Sequence, residues 1–409
     1  VGHFDLLEIR SADERAAEQF AELRSVLGFA LDHAAGLRTH LGGVDVAALT
    51  DRAALARLPL LRKSELARLQ AENPPFGGLT SRSAYHFPHV FMSPGPIFEP
   101  GGATRDWWRM GRFLHAAGLG MGDIVLNCFA YAFTPAANMI ESGVAAISAT
   151  VIPGGVGQTD MQVEAASRIG ATAYAGTPDF LKVILDRADA LERPLKIARA
   201  AVSGGALPAS LRAEYAARGV ECLQCYATAD LGLIAFESEA REGMIVDEGV
   251  IVEIVRPGTG DPVPDGEVGE VVVTALNPDY PLVRFATGDL SAVLPGESPC
   301  GRTNMRLKGW MGRADQTTKI KGMFVRPEQV AEILSRHPQV ARARLTVTRE
   351  GEQDAFEATF ETAEQGRALA DALRESVEAV LRLKGAVRLT SPGSLPNDGK
   401  VIDDQRRYD

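Results

Sequence analysis

The sequence has little cysteine, few aromatic residues and no run of basic side chains, and these shortages close off classes of protein. Four cysteines occur in 409 residues, Cys128, Cys222, Cys225 and Cys300, too few and too scattered for a disulfide scaffold. Cys222 and Cys225 have metal-ligand spacing, but no second such pair or nearby histidine completes a set, so they read as structural. The formal net charge is -10 and no basic stretch stands out against it, which argues against a nucleic-acid partner. The apolar stretch "GVAAISATVI" at 143–152 is far too short to cross a bilayer. The N-terminal stretch carries charge from Asp5 onward and does not read as a signal peptide. A soluble, cytoplasmic protein with no membrane partner is the expectation.

What is present is apolar mass, 45% of the residues, enough to build more than one domain. Apolar positions three and four apart predict a helix over 12–35, with shorter helices at 50–56 and 62–70. From 72 to 102 proline, glycine, serine and aromatics crowd together, and ordered loop is expected there. Between 123 and 219 strand-like runs alternate with helices of about ten residues, the pattern of a parallel sheet covered on both faces. From about 250 the chain is strand-rich, and after 312 a helix–strand–strand–helix–strand pattern begins. The predicted fold is α/β, with a large multi-part N-terminal domain of parallel sheets and a β subdomain, plus a small mobile α+β C-terminal domain. The expected boundaries are 1–312 for the large domain, its β-rich part at about 245–312, and 313–409 for the small one.

Sites in parallel sheets lie where loops leave the carboxyl ends of strands, and five polar segments are candidates for one such site. In "VSGGALP" (202–208) the glycines let backbone approach a planar ring or a phosphate, although a glycine pair also simply ends a strand. In "CLQCYATADLG" (222–232) Tyr226 suits stacking on a base and Asp230 suits a divalent cation. A core tyrosine and a capping aspartate are the plainer alternative. In "VRFATGDLS" (283–291) Asp289 suits ribose hydroxyls, or an Asx turn. In "GRADQTTKIKGMFVRPEQV" (312–330) Arg313 is a candidate for ribose or phosphate, Asp315 for a hinge turn, and Lys319 and Lys321 for solvent or a polyanion. In "GSLPNDGKVIDDQRRYD" (393–409) a tightly punctuated loop presents Lys400.

In this order the five segments resemble the adenylate-forming enzymes, and within them the phenylacetate-CoA ligase branch, over essentially the whole chain. "RFATGDLS" followed by "GRADQTTKIKG" is similar to the family's ribose-binding and hinge motifs, and "LPLLRKSELARLQAENPPFGG" (58–78) is similar to the opening of the branch. The resemblance implies ATP-dependent activation of a small carboxylic acid, aryl or arylacetic, to an acyl-adenylate, then transfer to coenzyme A. Mg2+ and a homodimer come with it. It implies that Gly204, Gly205 and Ala206 line the adenine and that Tyr226 stacks on it. It places Asp289 on the ribose hydroxyls, Arg313 on the ribose side, Asp315 at the hinge, Asp230 on Mg2+ and Lys400 between carboxylate and phosphate during adenylation. "YAFTPAANMIESG" (131–143) resembles the region lining the acid pocket, with Tyr131, Phe133 and Met139 as an apolar slot.

The sequence departs from the family pattern in two places. After Tyr226 the expected glycine, hydroxyl residue and glutamate are Ala227, Ala229 and Asp230, with Thr228 beside the position that lacks its hydroxyl. Where the family has a Ser/Thr/Gly phosphate loop ending in Lys-Pro, this chain has "SPGPIFEP" at 93–100. Pro94 and Pro96 offer no N–H to a phosphate, Glu99 opposes one, and Ser93 and Gly95 are the remaining phosphate contacts. A nucleotide- or coenzyme A-binding homologue without adenylation, and an acyltransferase using preactivated acid, therefore stand as alternatives.

Overall fold

Short apolar strands and amphipathic helices alternate from residue 124 onward, and the computed structural model shows how they stack; it describes residues 2–205, 207–314, 316–320, 323–350 and 353–406. Helix Pro178–Ala190 illustrates the local logic. Proline opens it, where no N–H is needed, and Leu181, Ile184, Leu185 and Ala188 put one buried stripe against the sheet. Helix Thr159–Ile169 buries Val163 and Ala166 and stops at Gly170 in the left-handed region. The first helix, Ala12–His33, starts on a Ser11–Glu14 capping box.

The chain divides into two compact units. The first comprises 1–252, 273–285 and 294–309; the second comprises 253–272, 286–293 and 310–409. In the first, five strands run parallel in the order Thr150–Pro153, Ile124–Asn127, Ala173–Gly176, Arg199–Val202, Glu221–Thr228. Antiparallel strands Gly232–Phe236, Met244–Val246 and Arg306–Leu307 extend the sheet. The chain goes outward from Ile124–Asn127 to Thr150–Pro153, then crosses to the other side with Ala173–Gly176. That reversal opens a crevice at the carboxyl ends of the strands.

The second unit contains a smaller α+β domain. Its sheet has the order Ala386–Thr390, Gln353–Thr362, Val340–Glu350, Ile402–Asp404, with the central pair antiparallel and both outer pairs parallel. Helix Arg367–Leu381 buries Leu369, Leu373, Val377 and Leu381, four apart, in a core with Val330, Ile333, Val347 and Phe360. The fold is thus a large mixed α/β domain with a parallel sheet and a smaller α+β domain at the C-terminal end.

Two segments differ from expectation. Within the predicted loop 72–102, His89–Ser93 pairs antiparallel with Ile97–Gly101 as a two-stranded hairpin, with a cis peptide bond between Gly95 and Pro96. Each strand of a two-stranded ribbon is an edge strand, so Pro100 fits opposite Val90 without breaking a sheet interior. The punctuated loop that presents Lys400 continues into strand Ile402–Asp404, which adds to the small sheet beside Val340–Glu350. No helix among the described residues is long and apolar enough to cross a membrane.

Candidate active site

The carboxyl ends of the parallel strands surround a cavity of about 130 Å³ in the first unit. Phe129, Met139, Ile140, Ser203, Gly204 and Thr228 are among its walls, and no charged side chain among the described residues lines it. Met139 is where the sequence placed it. Tyr131 and Phe133 are not on the wall: the Tyr131 hydroxyl donates to Glu141 and accepts from Asn127, and Phe133 is 70% exposed. The aromatic face is supplied instead by Phe129, two residues past strand Ile124–Asn127.

The glycine turn forms one rim. Gly204 has φ +73°, a conformation that side-chain-bearing residues resist, and it follows strand Arg199–Val202 directly after Ser203. Ser203 Oγ donates to the Cys225 carbonyl at 3.0 Å, tying this turn to the strand that carries Tyr226. Gly205 lies beside the Pro178 ring, and Ala206 falls outside the described residues. Tyr226 is half-buried near the end of its strand, at a register irregularity between Tyr226 and Ala227. Cys222 and Cys225 are buried thiols, both pushed up to about 12 by burial. The described residues contain no group of three His, Cys, Asp or Glu able to hold a metal.

The next turn aims Asp230 inward. Thr228 Oγ1 accepts from the Leu231 N–H at 3.2 Å, and Gly232 (φ +74°) passes so close to Trp108 that a Cβ there would lie 2.8 Å from its carbonyl oxygen. Asp230 is buried, and its Oδ2 accepts from Lys63 Nζ at 2.6 Å. Asp230 Oδ1 is buried with no hydrogen-bond partner among the described residues.

The hairpin brings Glu99 to the same place. Gln70, itself buried, holds the hairpin by bonding both the N–H and the carbonyl of Phe98 at 2.8 Å. Glu99 is 1% exposed, accepts from Ser93 Oγ through Oε1, and leaves Oε2 without a partner among the described residues. Burial, and then the negative charge of Asp230, push the Glu99 carboxyl up to about 7, against the pull of Ser93 and Lys63. Ser93 is therefore engaged with Glu99, while Gly95 sits at the hairpin tip. Sequence reasoning missed Lys63 and read Glu99 only as an opposing charge. The one available signal for Lys63 was its place in "LPLLRKSELARLQ".

The remaining predicted residues belong to the second unit. Asp289 Oδ1 accepts from Arg313 Nη1 at 2.8 Å and from Trp310 Nε1 at 3.1 Å, and Asp289 and Arg313 also form an isolated β-bridge. Lys400 Nζ bonds Asp403 Oδ1 at 2.7 Å. Its neighbour Gly399 (φ +69°) presses against Val268 and Leu290, and Asn397 bonds the Val268 N–H, so the loop before Lys400 is held in place. Asp315 and Lys321 fall outside the described residues.

Two kinds of chemistry are thus built: an uncharged pocket beside a glycine turn, and a buried carboxylate with an open oxygen. The second suits a hard cation such as Mg2+, which takes one or two carboxylates and completes its shell with phosphate oxygens and water.

Comparison with known proteins places these features in context. The chain matches the AMP-binding enzyme family over residues 103–277, a span that holds the glycine turn and Asp230 and begins just after the hairpin. It is 26% identical over 423 residues to a phenylacetate-CoA ligase of Aromatoleum evansii, covering 96% of this chain and 93% of that one. It is 27% identical to a phenylacetate-CoA ligase of Escherichia coli (strain K12), covering 97% and 96%. In fold it is similar to a 2-hydroxyisobutyryl-CoA ligase in the postadenylation state with R3-HIB-AMP, with a TM-score of 0.71 at 24% identity, covering 98% and 91%.

Proposed function

We propose, from the premise that this chain is an adenylate-forming enzyme related to the phenylacetate-CoA ligases, that it activates a carboxylic acid with an uncharged apolar tail, aryl or arylacetic, and passes it to coenzyme A. The observation that carries the choice of acid is the cavity of about 130 Å³ beside Ser203 and Gly204, walled by Phe129, Met139 and Ile140 with no charged side chain among the described residues. A second carboxylate or an ammonium on the tail would be desolvated there without a partner.

In the first step an oxygen of the substrate carboxylate bonds to the α-phosphorus of ATP as the bond to pyrophosphate breaks. In the second the sulfur of coenzyme A bonds to the acyl carbon, the carbon–oxygen bond to AMP breaks, and the thiol proton leaves. In this reading Gly204 and Gly205 let the backbone lie against the adenine, and Tyr226 stacks on it. Asp289, steadied by Arg313 and Trp310, accepts from the ribose hydroxyls. Lys400, on the small domain 313–409, offsets the charge that builds between carboxylate and phosphate, after exchanging its bond to Asp403 for the substrate. A divalent cation, Mg2+, fits the open oxygen of Asp230, where it would offset phosphate charge and polarise the phosphorus.

A panel of acids, followed by release of AMP and pyrophosphate with and without coenzyme A, tests the proposal. Arylacetic and aryl acids are expected to turn over, and dicarboxylates and amino acids are not. The hairpin that stands in for the phosphate loop favours one competing reading, a homologue that binds nucleotide without adenylating. Nucleotide binding with no turnover across the panel would establish that reading instead.

A further inference from the structure

The hairpin at 93–100 has few groups left to hold a polyphosphate directly. Pro94 and Pro96 have no N–H, and the Ser93 hydroxyl is committed to Glu99. What the region offers instead is acceptors. Glu99 Oε2 and Asp230 Oδ1 are both buried without a partner among the described residues, on side chains that are 1% and 7% exposed as residues. A third polar atom joins them: the hydroxyl of Tyr280, a residue 3% exposed, has no partner among the described residues either, and the negative charges of Asp230 and Glu99 both act on it. Burying three such atoms without partners is costly, and two of them belong to carboxylates, whose charge a cation would offset. Lys63 supplies one positive charge against two carboxylates and bonds Asp230 Oδ2.

We propose, as a deepening of the reading above, that Glu99 and Asp230 together form a divalent-cation site through which the nucleotide phosphates are held, in place of the donors that the hairpin does not supply. Oxygen ligands suit a hard cation such as Mg2+ or Mn2+. Two carboxylates leave most of the coordination shell for water and phosphate oxygens, and that sharing lets one metal both fill the buried site and hold the nucleotide. Glu99, an opposing charge if phosphate bound here directly, becomes a ligand when the metal stands between. Ser93 acts at one remove, by fixing the orientation of the Glu99 carboxylate.

The test is Mn2+ binding to the nucleotide-free full chain, followed by the paramagnetic resonance signal of free Mn2+. One saturable site is expected. Glu99→Gln keeps the side-chain shape and an oxygen for Ser93 but removes the charge, and should weaken binding about 10- to 100-fold. Glu99→Asp, which keeps the charge, should retain more affinity than the Gln variant. Asp230→Asn should lose as much as Glu99→Gln, which keeps the test decisive if one variant folds poorly by thermal melt. Equal Mn2+ affinity in native and Glu99→Gln chains, or no saturable site in the native chain, overturns the proposal. The measurement uses neither acid nor coenzyme A. A failed acid panel with Glu99-dependent Mn2+ binding therefore sinks the activation reading alone, and the reverse result sinks this inference alone.

Discussion

At the scale of single residues, the same type of side chain is given different work by its surroundings. Three of the four cysteines, Cys128, Cys222 and Cys225, are buried, and burial pushes their thiols up to about 12. Cys300 is partly exposed, and hydrogen bonds from Ser238, Ser298 and Arg302 pull its thiol below the ordinary value against the effect of burial. Iodoacetamide at pH about 7.5 should therefore alkylate Cys300 first, while the other three react only on unfolding, as mass mapping of the labelled peptides will report. Glu99 shows the opposite trend. Below its ordinary value of 4.5 the carboxyl is protonated in both folded and unfolded chains. As pH rises the unfolded chain releases this proton while the folded chain holds it until about 7, so the folded state loses stability across that window. In EDTA, denaturant melts should show Glu99→Gln gaining up to about 3 kcal/mol on the native chain between pH about 4.5 and about 8. Lys400 is tested by splitting the half-reactions. Lys400→Ala should lower acid-dependent pyrophosphate release at least about 100-fold, yet keep much of the transfer from a supplied acyl-adenylate to coenzyme A. Equal loss in both assays would remove Lys400 from the adenylation step.

At the scale of elements, the site depends on two turns and a hairpin. The turn that aims Asp230 inward needs Gly232 at φ +74° against the Trp108 backbone. Gly232→Ala combines a strained backbone with a Cβ 2.8 Å from a carbonyl oxygen, and should cost about 1–3 kcal/mol in a urea melt. The alternating strands and helices between 124 and 217 were legible because each carries a clear period, and the structure places them within a few residues of expectation. The hairpin was not legible. Its prolines and glycines read as loop, and the contact that stabilises it, Gln70 on the Phe98 backbone, spans 28 residues and leaves no local pattern. Lys63 was missed for the same reason. Its partner Asp230 is 167 residues away, and only the fold brings the two together. The lining of the cavity was half legible: Met139 is on its wall, but Phe129 rather than Phe133 is, because spacing alone does not say which ring of a loop turns inward.

At the scale of the whole molecule, the predicted site residues fall in both units. Ser93, Gly95, Gly204, Gly205, Tyr226, Thr228 and Asp230 lie in the first, and Asp289, Arg313 and Lys400 in the second. The central claim is that the carboxylate itself attacks the α-phosphorus of ATP, and oxygen transfer tests it most directly. The protein is incubated with an arylacetic acid labelled with oxygen-18 in its carboxyl group, together with ATP, Mg2+ and coenzyme A, and the AMP is analysed by mass spectrometry. The account predicts one labelled oxygen in each AMP, carried over when the thiol breaks the carbon–oxygen bond. AMP without label, or label appearing in orthophosphate, would contradict it.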